Sequence, residues 1–289
     1  MPPQAIAILA LAALVHSSWN LLSKQSRDKQ VFLWLALLWS LILFAVPFVY
    51  FLRPMAPLGV AIAAVSGLVE AVYYLLLGSA YQRGDLSLVY PLARGSAPLF
   101  VTLFAVLLLH EALAPGGVAG ILLIVAGIYA QHLKAFDRGA LLAPLRALRH
   151  ERASQLALLV GAVIATYSVI DKVGVGLVNP FLYIYVDFFV SAVALAPYML
   201  LARGTAVRAE WRDNRARIVA VGAMFIVAYL LVLYTLTFTQ VAYTSSIREM
   251  AIVFGAVMGN VILHEPFGRM KVVGALLIFA GILAIAVAA

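Results

Sequence analysis

The most constraining feature of this sequence is a series of long apolar runs separated by short connections. A helix needs roughly 20 apolar residues to cross the hydrocarbon core of a bilayer, and every run is close to that length. We therefore predict an all-α membrane protein with ten transmembrane helices. The runs are continuous rather than alternating, which excludes a transmembrane β-barrel. They cover residues 4–23, 31–51, 57–80, 86–109, 116–134, 154–174, 180–201, 216–238, 240–263 and 271–288.

Composition supports this class and excludes several kinds of chemistry. Of the 289 residues, 65% are hydrophobic and 11% are charged, whereas soluble domains average about 45–50% and about 25%. The chain has no cysteine, so disulfides, thiolate metal sites and thiol catalysis are excluded. It also has no His-Glu-x-x-His zinc motif and no nucleotide-binding P-loop. We predict no metal, no cofactor and no direct use of ATP.

Basic residues predict the orientation. The net charge is +8, but its carriers lie in loops between apolar runs, which indicates a lipid bilayer rather than nucleic acid as the partner. Basic loops stay cytoplasmic, so both termini are expected on the periplasmic side of an inner membrane. Residues 4–23 lack a signal-peptide pattern and are expected to be retained. The basic residues of the alternate loops are Lys24, Arg27, Lys29, Arg83, Lys134, Arg138, Arg146, Arg149, Arg152, Arg203, Arg208, Arg212, Arg215, Arg217, Arg269 and Lys271.

The two halves of the chain repeat each other. Arg94 stands as far before His110 as Arg248 stands before His264, and a glutamate follows each histidine. The glycine-rich spans that come next match in the same register. A third match joins the first span to the sixth, where Trp19 aligns with a tyrosine. Several matches in one order indicate a duplicated unit rather than chance.

The duplication predicts an inverted architecture. Each repeat holds five spans, an odd number, so the second copy must cross the bilayer in the opposite direction. Inverted repeats place a binding site near the midplane, between halves that rock alternately. We assign residues 1–135 to the first repeat, 136–152 to a basic connecting loop and 153–289 to the second repeat.

These motifs also carry a family resemblance. Trp19 and Asn20, the segment 90–95 and the His-Glu pairs at 110–111 and 264–265 resemble the drug/metabolite transporter superfamily of the ten-helix EamA-repeat type. The resemblance covers essentially the whole chain. It implies a central cavity, with the fifth and tenth helices packed outside, and export of small metabolites from the bacterial cytoplasm. Aromatic amino-acid exporters of the YddG type are the nearest architecture, but the superfamily also carries drugs and nucleotide sugars.

The third span carries a polar stripe. Glu70, Tyr73, Tyr74, Leu77 and Tyr81 share one helical face. An ionisable group inside a span is costly and normally faces a cavity or a partner. We expect this stripe to line a cavity, with aromatic faces for an apolar or cationic ligand. The alternative is a core stripe whose phenols bond to neighbouring helices.

The repeat-equivalent Arg94 and Arg248 are further candidates. Each could hold a substrate carboxylate or phosphate in a bidentate fork. Alternatively, each could pair with Glu70, Glu249 or Asp187 and join the halves; the sequence leaves both possibilities open. The full set of predicted substrate-binding residues is Trp19, Asn20, Glu70, Tyr73, Tyr74, Tyr81, Tyr90, Arg94, Tyr167, Asp187, Tyr229, Thr244, Arg248 and Glu249.

Four residues are candidates for proton coupling, namely Glu70, His16, Asp187 and Glu249. A lone histidine in a span is more often a packing residue, which is the alternative for His16. Asp171 lies near a span end and is expected at the membrane interface. The glycines of the fifth, ninth and tenth spans are typical of close helix packing or of a homodimer contact.

A secondary transporter of a small molecule is the leading prediction, as a monomer or homodimer and without enzymatic activity. Amino acids, among them aromatic ones, are the expected substrates, and a multidrug or organic-cation exporter is the alternative. An intramembrane enzyme acting on lipid-linked substrates would need a cluster of acid, base or nucleophile. The inverted repeat argues against it, because catalysis does not require two matched access routes.

Overall fold

The computed structural model describes residues 1–24, 26–83, 86–132, 151–264 and 268–288, and within these ranges it is all-helical, with no strand. Eight spans, one of them divided, are long and apolar enough to cross a membrane, and two shorter apolar helices complete the predicted ten. The helices are α1 (Pro3–Ser23), α2 (Lys29–Phe51), α3 (Pro57–Arg83), α4 (Leu86–Leu108), α5 (Pro115–His132), α6 (Arg152–Gly174), α7 (Pro180–Pro197, continued by a π-turn over Tyr198–Ala202), α8 (Gly204–Leu236), α9 (Val241–Arg248), α10 (Met250–Leu263) and α11 (Arg269–Ala288).

Local sequence explains where many helices begin and end. Pro3, Pro57, Pro115 and Pro180 each open a helix, where proline has no hydrogen bond to lose and its fixed φ suits the first turn. The ninth span consists of two helices, since α9 ends before Glu249 and α10 begins after it.

The repeated histidines have a structural role. His110 and His264 both adopt φ 55°, the left-handed conformation that ends a helix. They follow α4 and α10, which are the equivalent spans of the two repeats. The two repeated histidines therefore mark equivalent helix ends.

One boundary prediction was wrong. The segment 203–217 was expected to be a loop, but from Gly204 onward it forms the first turns of α8. Its residues are mostly good helix formers, and packing outside the apolar run holds them in place. Trp211 stacks on Trp39 with ring centroids 5.3 Å apart, and Glu210 accepts hydrogen bonds from the backbone N–H groups of Arg27 and Asp28.

Helix packing follows the predicted inverted repeat, in which α1–α5 correspond to α6, α7, α8, α9–α10 and α11. Helix α3 packs on α6 while α8 packs on α1, and α2 packs on α8 while α7 packs on α3. Helix α5 packs on its own counterpart α11. Each of these contacts between the repeats therefore occurs twice, with the corresponding helices of the two repeats exchanged. A two-fold relation between the halves requires this pattern.

Glycines allow the closest of these contacts. A Cβ added to Gly120 would lie 2.6 Å from the carbonyl oxygen of Gly281, and one added to Gly281 would lie 2.5 Å from that of Gly120. Gly127 and Gly274 repeat this relation. These four glycines therefore pack α5 against α11 within one chain.

The bundle has two distinct faces. The terminal face holds both chain ends, where the Met1 amino group donates to the carbonyl oxygen of Ala286 at 3.1 Å. The basic face holds the opposite helix ends, including an ion pair of 3.3 Å between Arg27 and Asp213. Alternate connections thus lie on opposite sides, as in a multi-pass membrane protein. Of the predicted connecting loop 136–152, only residues 151 and 152 are among those described.

Candidate functional site

A cavity of about 680 Å³ lies between the two repeats. Its walls come mainly from α1, α3, α6, α8 and α10. Lys24, Lys29 and Lys271 line it at helix ends on the basic face, which marks its mouth. On α3 and α6 the deepest lining residues are Glu70 and Tyr167. The cavity is therefore open toward the basic face and ends inside the bundle.

Aromatic rings form one wall of the cavity. The ring of Tyr167 lies 6.1 Å from that of Tyr73 and 6.4 Å from that of Tyr229, both edge-on. Phe188 stacks with Tyr229 at 6.2 Å between centroids. All four residues line the cavity and come from four helices. Edge-to-face and stacked contacts of this kind stabilise an aromatic cluster.

A second group of aromatic rings also lines the cavity. Trp19 lies edge-on to Phe225 and to His16, with centroids 4.6 Å apart in both pairs. Phe188 and Phe225 were not among the predicted site residues. Their only sequence signal is aromatic character inside apolar runs, which does not distinguish a cavity wall from a packed core.

Two carboxyl groups meet at the cavity floor. Glu70 lines the cavity, and its side chain interacts directly with that of Asp187 on α7. Asp187 is 1% exposed, and its Oδ1 has no hydrogen-bond partner among the described atoms. Two adjacent buried carboxylates repel each other, so this pair is favoured when a proton or a cation lies between them.

Asp171 lies just beyond the floor and joins four helices. It accepts hydrogen bonds from the hydroxyls of Ser66 on α3, Tyr183 on α7 and Tyr229 on α8. The Tyr183 bond measures 2.8 Å, and Asp171 is 1% exposed. Asp171 was expected near a span end, at the membrane interface; it does lie close to the end of α6, but it is buried, because three hydroxyls from distant segments converge on it.

Further contacts close the terminal face. Lys172 donates from Nζ to the carbonyl oxygens of Leu236 and Thr239 at 2.6 and 2.7 Å, at the end of α8. Glu111 accepts from the backbone N–H of Val241 at 2.7 Å, at the start of α9. The hydroxyl of Tyr243 accepts from the backbone N–H of Ala114 at 3.0 Å. Together with the Asp171 cluster, these bonds make the polar layer that seals this side.

The two repeat-equivalent arginines have different surroundings. Nε of Arg94 lies 3.4 Å from Oε2 of Glu249, which joins the first repeat to the second. The guanidinium of Arg248 lies 6.0 Å from the ring centroid of Tyr229 and within hydrogen-bonding reach of Tyr167. Both arginines are 7% exposed and both line the cavity.

The sequence matches the model of the EamA-like transporter family over residues 4–130 and 152–287. The chain belongs to this family. Its members are membrane transporters of small molecules, and the cavity within this EamA-like transporter has the position that such a role requires. A protein of known crystal structure has the same fold, with a TM-score of 0.73, 19% sequence identity and coverage of 100% of both chains.

Nine of the predicted site residues line the cavity of this EamA-like transporter, and His16 joins them. Asp187, Thr244 and Glu249 are instead buried behind the wall. The side chains of Tyr81 and Tyr90 lie outside the described part of the chain. The nine are Trp19, Asn20, Glu70, Tyr73, Tyr74, Arg94, Tyr167, Tyr229 and Arg248.

The glycine prediction was wrong at one position. Gly255 was assigned to a helix-packing face, but it lines the cavity, and a Cβ built on it meets no atom within 4 Å. Its counterpart in the first repeat is Val101, which is completely buried. The same position is therefore open in one repeat and closed in the other.

Proposed function

We propose that this EamA-like transporter is a secondary transporter that exports small amphipathic metabolites, aromatic amino acids among them, by alternating access. The observation that carries this proposal is the cavity between inverted repeats, open at the basic face and sealed at the terminal face. A cavity of about 680 Å³ is in the usual range for small-molecule sites. The proposal places the basic face in the cytoplasm, so the described state accepts substrate from inside the cell.

The seal gives the proposed cycle a physical basis. On α6 it extends from Asp171 to the helix end at Gly174, beyond the last lining residue, Tyr167. At 1.5 Å per residue the helix rises about 10 Å between Tyr167 and Gly174. Opening the terminal face requires the hydrogen bonds of Asp171, Lys172 and Glu111 to break.

The cavity wall supports an aromatic amino acid as the ligand. Trp19, Phe225 and Tyr167 line the cavity and present ring faces and edges to an aromatic side chain. Glu70 and Arg248 are opposite charges that line the same cavity, which suits a molecule with an ammonium and a carboxylate group.

The carboxyl pair supports coupling to protons. Glu70 is reachable from the cavity, whereas Asp187 lies behind it. Because the pair is favoured with a bound proton, a substrate ammonium group that approaches Glu70 can displace that proton. Substrate and proton would then move in opposite directions, as an exporter driven by a proton gradient requires.

Export of organic cations is the second candidate. Glu70 at the floor and the tyrosines beside it form a site of the kind that holds cations by charge and by cation–π attraction. Five basic residues, from the mouth to the interior, also line the cavity and disfavour a cationic ligand, which is why an amino-acid substrate is favoured.

Purified protein in liposomes distinguishes the candidates. Vesicles loaded with unlabelled phenylalanine should take up labelled phenylalanine by saturable counterflow, and labelled glycine should not exchange. Vesicles loaded with unlabelled tetraphenylphosphonium, with labelled tetraphenylphosphonium outside, test the second candidate. Counterflow of the cation alone would replace the first proposal by the second, and no counterflow of any aromatic solute would contradict both.

A further inference from the structure

We propose that Arg248, and not its repeat counterpart Arg94, is the anion subsite of the cavity and holds the carboxylate of the transported molecule. This inference rests on the proposed function and specifies one part of it. It starts from a difference between the two halves at a single aligned position, the residue that follows each arginine.

The first repeat lacks a carboxylate that the second repeat supplies. Arg94 pairs with Glu249 across the two-fold relation, at 3.4 Å between Nε and Oε2. The same relation would pair Arg248 with the residue aligned to Glu249, and that residue is Gly95. Glycine has no side chain, so the symmetric ion pair cannot form. One arginine is thus used to join the repeats, and the other is not.

The surroundings of Arg248 leave part of its charge uncompensated. Its Nε has no hydrogen-bond partner, and it makes no ion pair with a carboxylate among the described residues. Asp171, one of the nearby acids, already accepts three hydroxyl hydrogen bonds. Burying a guanidinium without a carboxylate in contact is costly, so a ligand that supplies an anion is stabilised at this position.

The shape and charge of the cavity select a carboxylate on an apolar body. A guanidinium presents a planar fork that binds a carboxylate in bidentate fashion, and the rings of Tyr167 and Tyr229 lie beside it. Lys29 and Lys271 at the mouth raise the local concentration of anions. We infer that ligands with a carboxylate bind better than equivalents without one.

Three phenyl compounds test the subsite directly. Phenylalanine has both charges, 3-phenylpropionate has only the carboxylate and phenylethylamine has only the ammonium. Dissociation constants are measured on purified protein by calorimetry. The Arg248→Gln variant should weaken binding of the two carboxylates by about tenfold or more and leave phenylethylamine within twofold. Arg248→Lys should recover part of the loss, because it restores the charge without the fork.

A second variant supplies the missing carboxylate. Gly95→Glu should pair with Arg248, as Glu249 pairs with Arg94, and weaken the same two ligands. A Cβ at Gly95 meets only Ile128, at 3.6 Å, so Gly95→Ala is the matched control and should bind all three compounds normally. Arg94→Gln should lower thermal stability and change the three dissociation constants by a common factor.

Several results would overturn this assignment. One is an equal effect of Arg248→Gln on all three compounds, and another is a carboxylate-selective loss in Arg94→Gln instead. Wild-type protein that exchanges phenylalanine in liposomes but binds phenylethylamine as well as phenylpropionate would also overturn it, while the proposed function stands. If the wild type binds carboxylates through Arg248 but exchanges none, the subsite stands and the proposed function fails.

Discussion

Tyr229 contacts the cavity and the seal at once, because its ring lines the cavity while its hydroxyl donates to Asp171. A ligand that packs on this ring lies one side chain away from the cluster that closes the terminal face. Displacing the ring by the width of a hydrogen bond would remove one of the three donors to Asp171. The structure thus connects occupancy of the cavity to the stability of the seal through one residue.

Replacing Asp171 should weaken the seal. Asp171→Asn keeps the shape of the side chain but replaces one acceptor oxygen by a donor, so at least one of the three hydroxyls loses its partner. We expect the state described here to lose about 1–3 kcal/mol and the midpoint of thermal unfolding to fall. Asp213→Asn is the control, because Asp213 is on the basic face and pairs with Arg27 and Arg212. Equal midpoints for the two variants would argue against a sealing role.

The ion pair between the repeats should show strong coupling. Glu249→Gln removes the carboxylate charge that lies 3.4 Å from Nε of the buried Arg94, and removing one partner of a buried pair costs about 3–5 kcal/mol. The double variant Arg94→Gln/Glu249→Gln removes both charges and should be more stable than Glu249→Gln alone. Thermal unfolding of the wild type, both single variants and the double variant gives the coupling energy. Additive effects would show that the pair contributes nothing as a pair.

The contact between α5 and α11 should not tolerate side chains at its glycines. In Gly281→Ala the new Cβ would lie 2.5 Å from the carbonyl oxygen of Gly120, so the two backbones must separate. We expect a clear fall in thermal stability. Gly255→Ala adds the same methyl group where nothing lies within 4 Å and should be nearly neutral. A Gly281→Ala variant as stable as Gly255→Ala would contradict this packing.

Filling the cavity should stop transport without unfolding the protein. Gly255→Trp places a large ring in the open space of the cavity. Phenylalanine counterflow in liposomes should be abolished while the thermal midpoint is retained. Gly204→Trp is the matched control, since a Cβ at Gly204 also meets nothing and the residue does not line the cavity. Normal counterflow in Gly255→Trp would show that substrate takes another route.

The fold was largely predictable because the thickness of a bilayer dictates the length of each apolar run. The exception, the start of α8, depends on contacts outside the membrane region, such as the stack of Trp211 on Trp39. Composition within a run does not report such contacts.

The site was predictable only in part. Helical spacing placed Glu70 and Tyr73 correctly on one wall, because their neighbours along the chain determine that face. Asp171 was missed, since the hydroxyls that bury it come from three other helices. The sequence shows that Gly95 and Glu249 are aligned but different. The consequence, that among the described residues only Arg94 of the two arginines has an ion-pair partner across the repeats, depends on the contact between Arg94 and Glu249, which only the structure shows.

In the proposed transport cycle the two repeats exchange open and closed arrangements. The chain has no cysteine, so single cysteines report accessibility without background. Rates of maleimide labelling should be measured for Gly255→Cys and Val101→Cys, which are aligned positions, with and without Asp171→Asn. We predict fast labelling at 255 and slow labelling at 101, and Asp171→Asn should slow the first and speed the second. Rates that rise together, or a buried Val101→Cys whose rate does not change, would contradict alternating access.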